Sequence, residues 1–290
     1  MIDWMKYKWL YFALSALVLV PGVVSLILFG LRPAIDFTGG SLLELKAQQE
    51  LNPKEIDQLL IEKNFEVSAI QKSGENQILI RLQPIEKNQA GEIQSAINES
   101  FSQKTEEIRF ETVGPTLGKE LVRKTIWAII LAAGFILAYV AWRFKDVKFG
   151  VCAILAMFHD TFILLGSFSL LGHFLGVEID TLFVTALLTI LSFSVHDTIV
   201  VYDRIRESQK LLPRTPFREI VNKAVTETLN RSVNNSMTII FMLIALLLLG
   251  GTTIRWFVAA LLIGTISGTY SSTFTAAPLL IIWEKFAKRK

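Results

Sequence analysis

Six stretches of roughly 20 apolar residues dominate this chain, and few environments other than a lipid bilayer suit them, since about 20 helical residues cross about 30 Å of hydrocarbon. They fall at 9–30, 125–142, 149–171, 179–201, 236–250 and 256–283. The fifth is short, so its helix is expected to begin before the apolar run, near Arg231. The first is too long for a signal-peptide core and lacks an A-x-A-like cleavage site, so it is expected to remain as an anchor. Composition agrees with a membrane protein: 52% of the 290 residues are hydrophobic and 19% charged, against about a quarter charged in soluble domains. A disordered chain, a disulfide scaffold and a nucleic-acid-binding domain are excluded; the net charge of +3 provides no broad basic surface. The single cysteine, Cys152, sits in an apolar run, which excludes an internal disulfide and a cysteine-built zinc site.

Basic residues mark the cytoplasmic side of a membrane protein. Lys6 and Lys8 precede the first span; Arg143, Lys145 and Lys148 follow the second; Arg204, Arg206, Lys210, Arg214, Arg218 and Lys223 lie between the fourth and fifth; Lys285, Lys288, Arg289 and Lys290 follow the sixth. All four clusters share one face if both termini are cytoplasmic. The expected layout is therefore a cytoplasmic N-terminus and first span over 1–31, an external domain over 32–124, and a five-span bundle over 125–290 with a cytoplasmic loop at about 203–230.

The external segment holds 12 basic and 15 acidic residues and neither Cys nor His. Residues 41–46, 66–72, 77–82 and 106–113 read as strands, with helices at 53–64 and 86–103. Asn52 is a candidate N-cap, and Ser73-Gly74-Glu75-Asn76 a turn. The order β-α-β-β-α-β is the split βαβ, ferredoxin-like arrangement. Such a domain suits binding or mechanical work better than catalysis. Gly114-Pro115-Thr116-Leu117-Gly118-Lys119 has three residues between its glycines where a phosphate loop has four, so no ATP site is expected. Work done by this protein must then draw on a partner or an ion gradient.

An ionisable side chain in hydrocarbon costs at least about 2.5–3.5 kcal/mol, so each demands a reason. The third span carries His159 and Asp160, with Asp160 about 16 Å in from Phe149. The fourth carries His196 and Asp197, about 10 Å short of Arg204. Arg231 stands at the same end of the fifth span, so depth permits an Asp197–Arg231 pair. Such a pair is either a structural lock between helices or a proton carrier. Burial disfavours an ionised carboxylate and a guanidinium favours it, so a site balanced between the two can change protonation with conformation. The permanently charged arginine would be the counter-ion. His159 and His196 are packing residues or proton relays. The repeated His-Asp dipeptides could contribute to a metal site, but neighbours on a helix point about 100° apart, so each dipeptide offers one ligand and no metal is expected. Asp203, Arg204 and Arg206 at the membrane edge read as salt-bridging residues or as part of a gate. The sixth span, with Gly264, Gly268 and seven hydroxyl residues including Ser267, Ser271 and Ser272, is built either for close packing or to line a hydrated path.

One span, an external domain of about 90 residues and five further spans resemble half of a resistance-nodulation-division (RND) transporter. Within that superfamily the motifs resemble the SecF branch of the SecD/SecF family. These are Asp36-Phe37-Thr38-Gly39-Gly40, Val113-Gly114-Pro115, Phe158-His159-Asp160, the run from Asp197 through Tyr202-Asp203-Arg204-Ile205-Arg206-Glu207, and Asn230-Arg231-Ser232. The fold class implied is an α-helical polytopic membrane protein with one external α+β domain. The resemblance implies a non-enzymatic accessory subunit of the Sec protein-export translocase, in the bacterial inner membrane, without cofactors. Its implied partners are SecD, the SecYEG channel and the exported preprotein, with the proton as coupling ion. It assigns proton coupling to Asp197 and Arg231, and a hinge-like role to Asp36, Gly39 and Gly40. His196 stands where relatives usually carry Asn, and 233–236 is more polar than the usual pattern, so His196 could share the titration. Transporters of this kind work at the interface between repeats, so a half is expected to need a partner, with the polar sixth span as a candidate interface. The competing readings are a small-molecule or lipid exporter half, and a scaffold for SecD that uses no protons.

Overall fold

A computed structural model of the chain describes residues 3–74, 76–144 and 146–287. Glu75 of the expected turn, and Lys145, Lys288, Arg289 and Lys290 of the basic clusters, lie outside the described residues. The chain forms two compact units: Pro33–Trp127, and a membrane bundle made from the remainder.

The smaller unit is the α+β domain. After a short helix α2 (Ile35–Thr38), strands β1 (Gly40–Lys46), β2 (Val67–Gly74), β3 (Gln77–Leu82) and β4 (Glu106–Val113) form one sheet in the order β2-β3-β1-β4. All three pairings are antiparallel. Helices α3 (Pro53–Glu62) and α4 (Lys87–Phe101) complete the βαββαβ order. Their starts follow from local chemistry. The Asn52 side chain accepts the Lys54 N–H at 3.1 Å with proline at the first helical turn, and Gln89 accepts the Glu86 N–H at 3.0 Å. Leu43, Leu45, Ile56, Leu60, Ile78, Ile80, Ile93 and Ile97 form the core, each fully buried side chain contributing about 1.5–3 kcal/mol. β1 departs from the alternation expected of it: six of its seven residues are buried, whereas β3, also an inner strand, keeps the alternation.

Gly39 and Gly40 have a stereochemical reason to be glycine. Their φ angles are +74° and +122°, which L side chains rarely adopt. A Cβ on Gly40 would come within 2.8 Å of the Leu82 carbonyl, and one on Gly39 within 3.0 Å of Pro115 Cα. Gly118 presses on the same joint, 3.0 Å from the Gly39 nitrogen to an added Cβ. The segment dismissed as a phosphate loop is thus the other half of a tight backbone joint.

Among the described residues, six helices are long and apolar enough to cross a membrane. They are α1 (Lys8–Phe29), preceded by a 3₁₀ turn at Trp4–Tyr7; α5 (Pro115–Arg143); α6 (Val147–Leu175); α7 (Thr181–Leu211); α8 (Phe217–Leu249); and a sixth span built from α9 (Thr252–Ser271), a π-helical turn at Ser272–Ala276, and α10 (Ala277–Ala287). α6, α7 and the sixth span form the buried centre, with α1, α5 and α8 around them. Small residues set the crossings. A Cβ on Gly166 of α6 would lie 2.5 Å from Gly22 Cα of α1, and Ser25 and Ser169 hydrogen-bond beside them at 2.8 Å. Gly264 and Gly268 in α9 admit Ile190 and Phe193 of α7. The N-terminal turn docks on the base of α8: Trp4 Nε1 donates to Thr226 Oγ1 at 3.1 Å, the Met5 N–H to Asn222 Oδ1 at 3.0 Å, and Arg218 to Asp3 at 2.7 Å.

The region 203–230, expected as a loop, is mostly helix. α7 runs to Leu211 and α8 starts at Phe217, well before Arg231. Apolar patterning reports only the part of a helix in hydrocarbon. Here the charged ends continue as helix, held by Arg204 to Glu207 and to Glu227, both at 2.6 Å.

Candidate functional site

Both intramembrane aspartates are buried, Asp160 at 1% and Asp197 at 8% exposure. Neither meets an arginine or lysine among the described residues; both are held by serine hydroxyls. Asp160 Oδ1 accepts Ser267 Oγ at 2.6 Å, and Oδ2 accepts Ser194 Oγ at 2.6 Å and Ser271 Oγ at 2.5 Å. His159 Nδ1 lies 3.0 Å from Oδ1. This cage draws on α6, α7 and α9. An ionised carboxylate is purely an acceptor, and three hydroxyls with an imidazole N–H supply it fully. The far nitrogen of that ring, His159 Nε2, is buried and has no hydrogen-bond partner among the described residues; the ring stacks near Tyr270 at 6.5 Å.

Asp197 receives Ser232 Oγ at 2.8 and 2.7 Å and Ser272 Oγ at 2.5 Å. The expected Asp197–Arg231 ion pair is not formed. Arg231 is exposed, and among the described residues it makes no ion pair. Neighbours on a helix point about 100° apart, and Ser232 takes the inward position. The two residues nevertheless line one cavity of about 290 Å³, with His196, Val200, Ser232 and Asn235. On its other side Arg231 borders a cavity of about 710 Å³ with Arg143, Asp203, Arg204 and Arg206.

The remaining candidates separate cleanly. His196 is exposed and lies on an open stripe of α7 with Thr185, Leu188, Thr189, Ser192 and Phe193. Asp203 pairs with Arg143 of α5 and, at 3.7 Å, with Arg206, so this motif ties helix ends together. Pairs as exposed as these are each worth about 0–1 kcal/mol. Asp36 lies in the first turn of α2, and Gly114 accepts the Gly118 N–H at 3.0 Å just as Pro115 starts α5. The polar sixth span is not an outward face. Thr265, Ser267, Ser271, Ser272, Thr273 and Thr275 are buried, because the two carboxylates draw several of these hydroxyls inward.

Sequence reasoning missed the serine ligands, whose depth follows from residue counting once a single contact between the two helices is known. Lys148 and Glu284 approach at 3.5 Å, so they stand at one level. Asp160 is twelve residues in from Lys148, and Ser272 twelve in from Glu284, which places the Ser271-Ser272 pair at the carboxylate's depth.

A half-transporter bundle with a split-βαβ domain after its first span, and carboxylates buried at its centre, defines an RND-like membrane protein. The comparisons narrow the class. The model for "Protein export membrane protein SecD/SecF, C-terminal" matches residues 93–286, and that for the "SecD/SecF GG Motif" matches 24–50. The protein translocase subunit SecF of Thermobaculum terrenum is 43% identical, over 98% of this chain and 94% of that one, and SecF of Anaerolinea thermophila is 37% identical over the same shares. The crystal structure of SecDF from Thermus thermophilus, a translocon-associated membrane protein, superposes with a TM-score of 0.86 at 36% identity. That match takes in 98% of this chain and 39% of the longer SecDF chain. SecDF in a super-membrane-facing form matches with a TM-score of 0.71 at 35% identity, covering 99% of this chain and 39% of that one. The chain belongs to the SecD/SecF family of protein-export membrane proteins, as a multi-pass SecF-type translocase subunit.

Proposed function

We propose that this chain works with SecD beside the SecYEG channel, in the bacterial inner membrane with both termini cytoplasmic, and couples the proton-motive force to late translocation and release of preproteins. The observation that carries this reading is the Asp197 site: a buried carboxylate held by neutral hydroxyls, sharing a cavity with an arginine that makes no ion pair among the described residues. In one state the serines hold Asp197. In the other, Arg231 enters the cavity and pairs with it, and loss or gain of a proton at Asp197 selects between them. The resulting helix shift passes to the α+β domain on the outer side. Asp160 and its histidine form a second proton-holding group. Moving one charge through 100 mV supplies about 2.3 kcal/mol, a bias of roughly fiftyfold.

Partnership with SecD is supported by the SecDF relatives, in which this chain's counterpart is part of a longer polypeptide. It is also supported by the open α7 stripe of Thr185, Thr189, Ser192 and His196, whose small and polar side chains suit helix–helix contact inside a membrane. Asp36, Gly39 and Gly40 would carry motion from the first span into the domain.

The test is export of a reporter preprotein in cells relying on this chain and its SecD, with Asp197→Asn compared at matched membrane levels. Export is expected to fall by roughly tenfold or more, on the scale of losing one coupled charge, with SecD association intact. Normal export would leave Asp197 a packing residue and favour the proton-independent scaffold.

A further inference from the structure

Two consecutive residues of the sixth span hold two different buried carboxylates. Ser271 donates to Asp160 Oδ2 at 2.5 Å, and Ser272 donates to Asp197 Oδ2 at 2.5 Å. Neighbours on a helix diverge by about 100°, so one turn of backbone can grip α6 on one side and α7 on the other. That turn is the point where the α-helix gives way to the π-helical segment Ser272–Ala276. Single π turns inside α-helices are uncommon and concentrate at functional sites. The far end of the segment is also held, by the Tyr202 hydroxyl donating to the Ala276 carbonyl at 2.9 Å. Two buried hydroxyls nearby, Thr198 Oγ1 on α7 and Thr273 Oγ1 within the segment, have no hydrogen-bond partner among the described residues. Buried polar atoms left unsatisfied in this way make the present arrangement one the segment can leave at reduced cost.

A carboxylate that gains a proton becomes a donor with less acceptor capacity, so a serine donating to it must turn its O–H elsewhere. At Asp160 the other titratable groups are His159 and, stacked beyond it, Tyr270. At Asp197 they are His196 and Arg231 across the shared cavity. None of these side chains hydrogen-bonds both carboxylates; the Ser271-Ser272 turn does.

We infer that Ser271 and Ser272 are positioning residues that couple the two carboxylates, so that the state of Asp160 sets how firmly Asp197 is held, with the π turn as the moving part. This rests on the proton-coupling reading of Asp197 and adds a second site and a physical link to it.

The experiment labels carboxyls with a hydrophobic carbodiimide, which reacts with protonated carboxyls inside membranes. It uses the full chain with its SecD in lipid nanodiscs, across pH, with peptide mass spectrometry locating the adduct. Asp160→Asn is expected to change the Asp197 labelling rate by about threefold or more at fixed pH, in the range of coupled neighbours. The change should vanish in the Ser272→Ala background and return with Ser272→Thr, which keeps the hydroxyl. A change of the same size with and without the Ser272 hydroxyl would mean direct charge interaction and would overturn the inference. So would an unmoved Asp197 profile, and either result leaves the proton role of Asp197 standing. If neither aspartate labels at any pH in the assembled complex, the proton reading falls and the inference falls with it.

Discussion

The two His-Asp dipeptides are the same in sequence and different in situation. On α6 both residues point inward: Asp160 is sealed by three hydroxyls, and His159 is buried against it. On α7 only Asp197 points inward; His196 falls on an open stripe, and the Asp197 site opens onto a cavity lined by Arg231. The difference comes from the surroundings of each helix, since the roughly 100° between neighbours leaves both in contact on α6 and only one on α7. The lesson is that a carboxylate gripped from three helices at once is defined by the hydroxyls around it, whereas one beside a cavity is defined as much by the space and the guanidinium across it.

The largest expected effect tests the sealed site. Asp160→Ala strands the Ser194 and Ser267 hydroxyls and an imidazole nitrogen, while Ser271 keeps the Gly268 carbonyl, and each buried polar group left unsatisfied costs about 1–3 kcal/mol. Thermal unfolding in detergent should therefore show a greater loss of stability than for Asp197→Ala, which strands the Ser232 hydroxyl beside a cavity while Ser272 keeps the Thr269 carbonyl. Equal losses would break the contrast between the sites. A smaller effect is expected from the packing that seals the Asp160 cage. A Cβ on Gly264 would lie 2.4 Å from the Ile190 side chain, so Gly264→Val should destabilise by about 1–3 kcal/mol through overpacking. Adding Ile190→Ala should recover part of that loss, which the same melts would register. The smallest effect separates the histidines. His196→Gln, on the open stripe, should change the stability of the isolated chain by no more than about 0.5 kcal/mol, while His159→Gln should cost more. The reverse order would mean that the α7 stripe is not open in the isolated chain.

Much of the architecture could be read from one-dimensional pattern. Apolar run length located six crossings, and alternation with the Asn52 cap located most elements of the α+β domain. What could not be read is instructive. Helix ends at Leu211 and Phe217 lie beyond the apolar runs, where ion pairs of Arg204 and Asp203 sustain them. Depth permits an Asp197–Arg231 pair, but depth gives height along a helix without its azimuth, and Ser232 takes the inward direction. The hydroxyls of the sixth span were visible as a cluster, but their targets are on other helices far away in the chain. The π turn has no local signature in Ser272–Ala276 that would distinguish it from continuous helix.

The docking of the N-terminal turn on α8 has a practical consequence. Trp4 donates its indole N–H to Thr226, on the same helix that carries Arg231 and Ser232. Indole emission responds to a hydrogen bond at that nitrogen and to the polarity around the ring. With Trp9, Trp127, Trp142, Trp256 and Trp283 replaced by phenylalanine, the fluorescence of Trp4 becomes a native optical gauge of the position of α8, with no dye attached near the carboxylates.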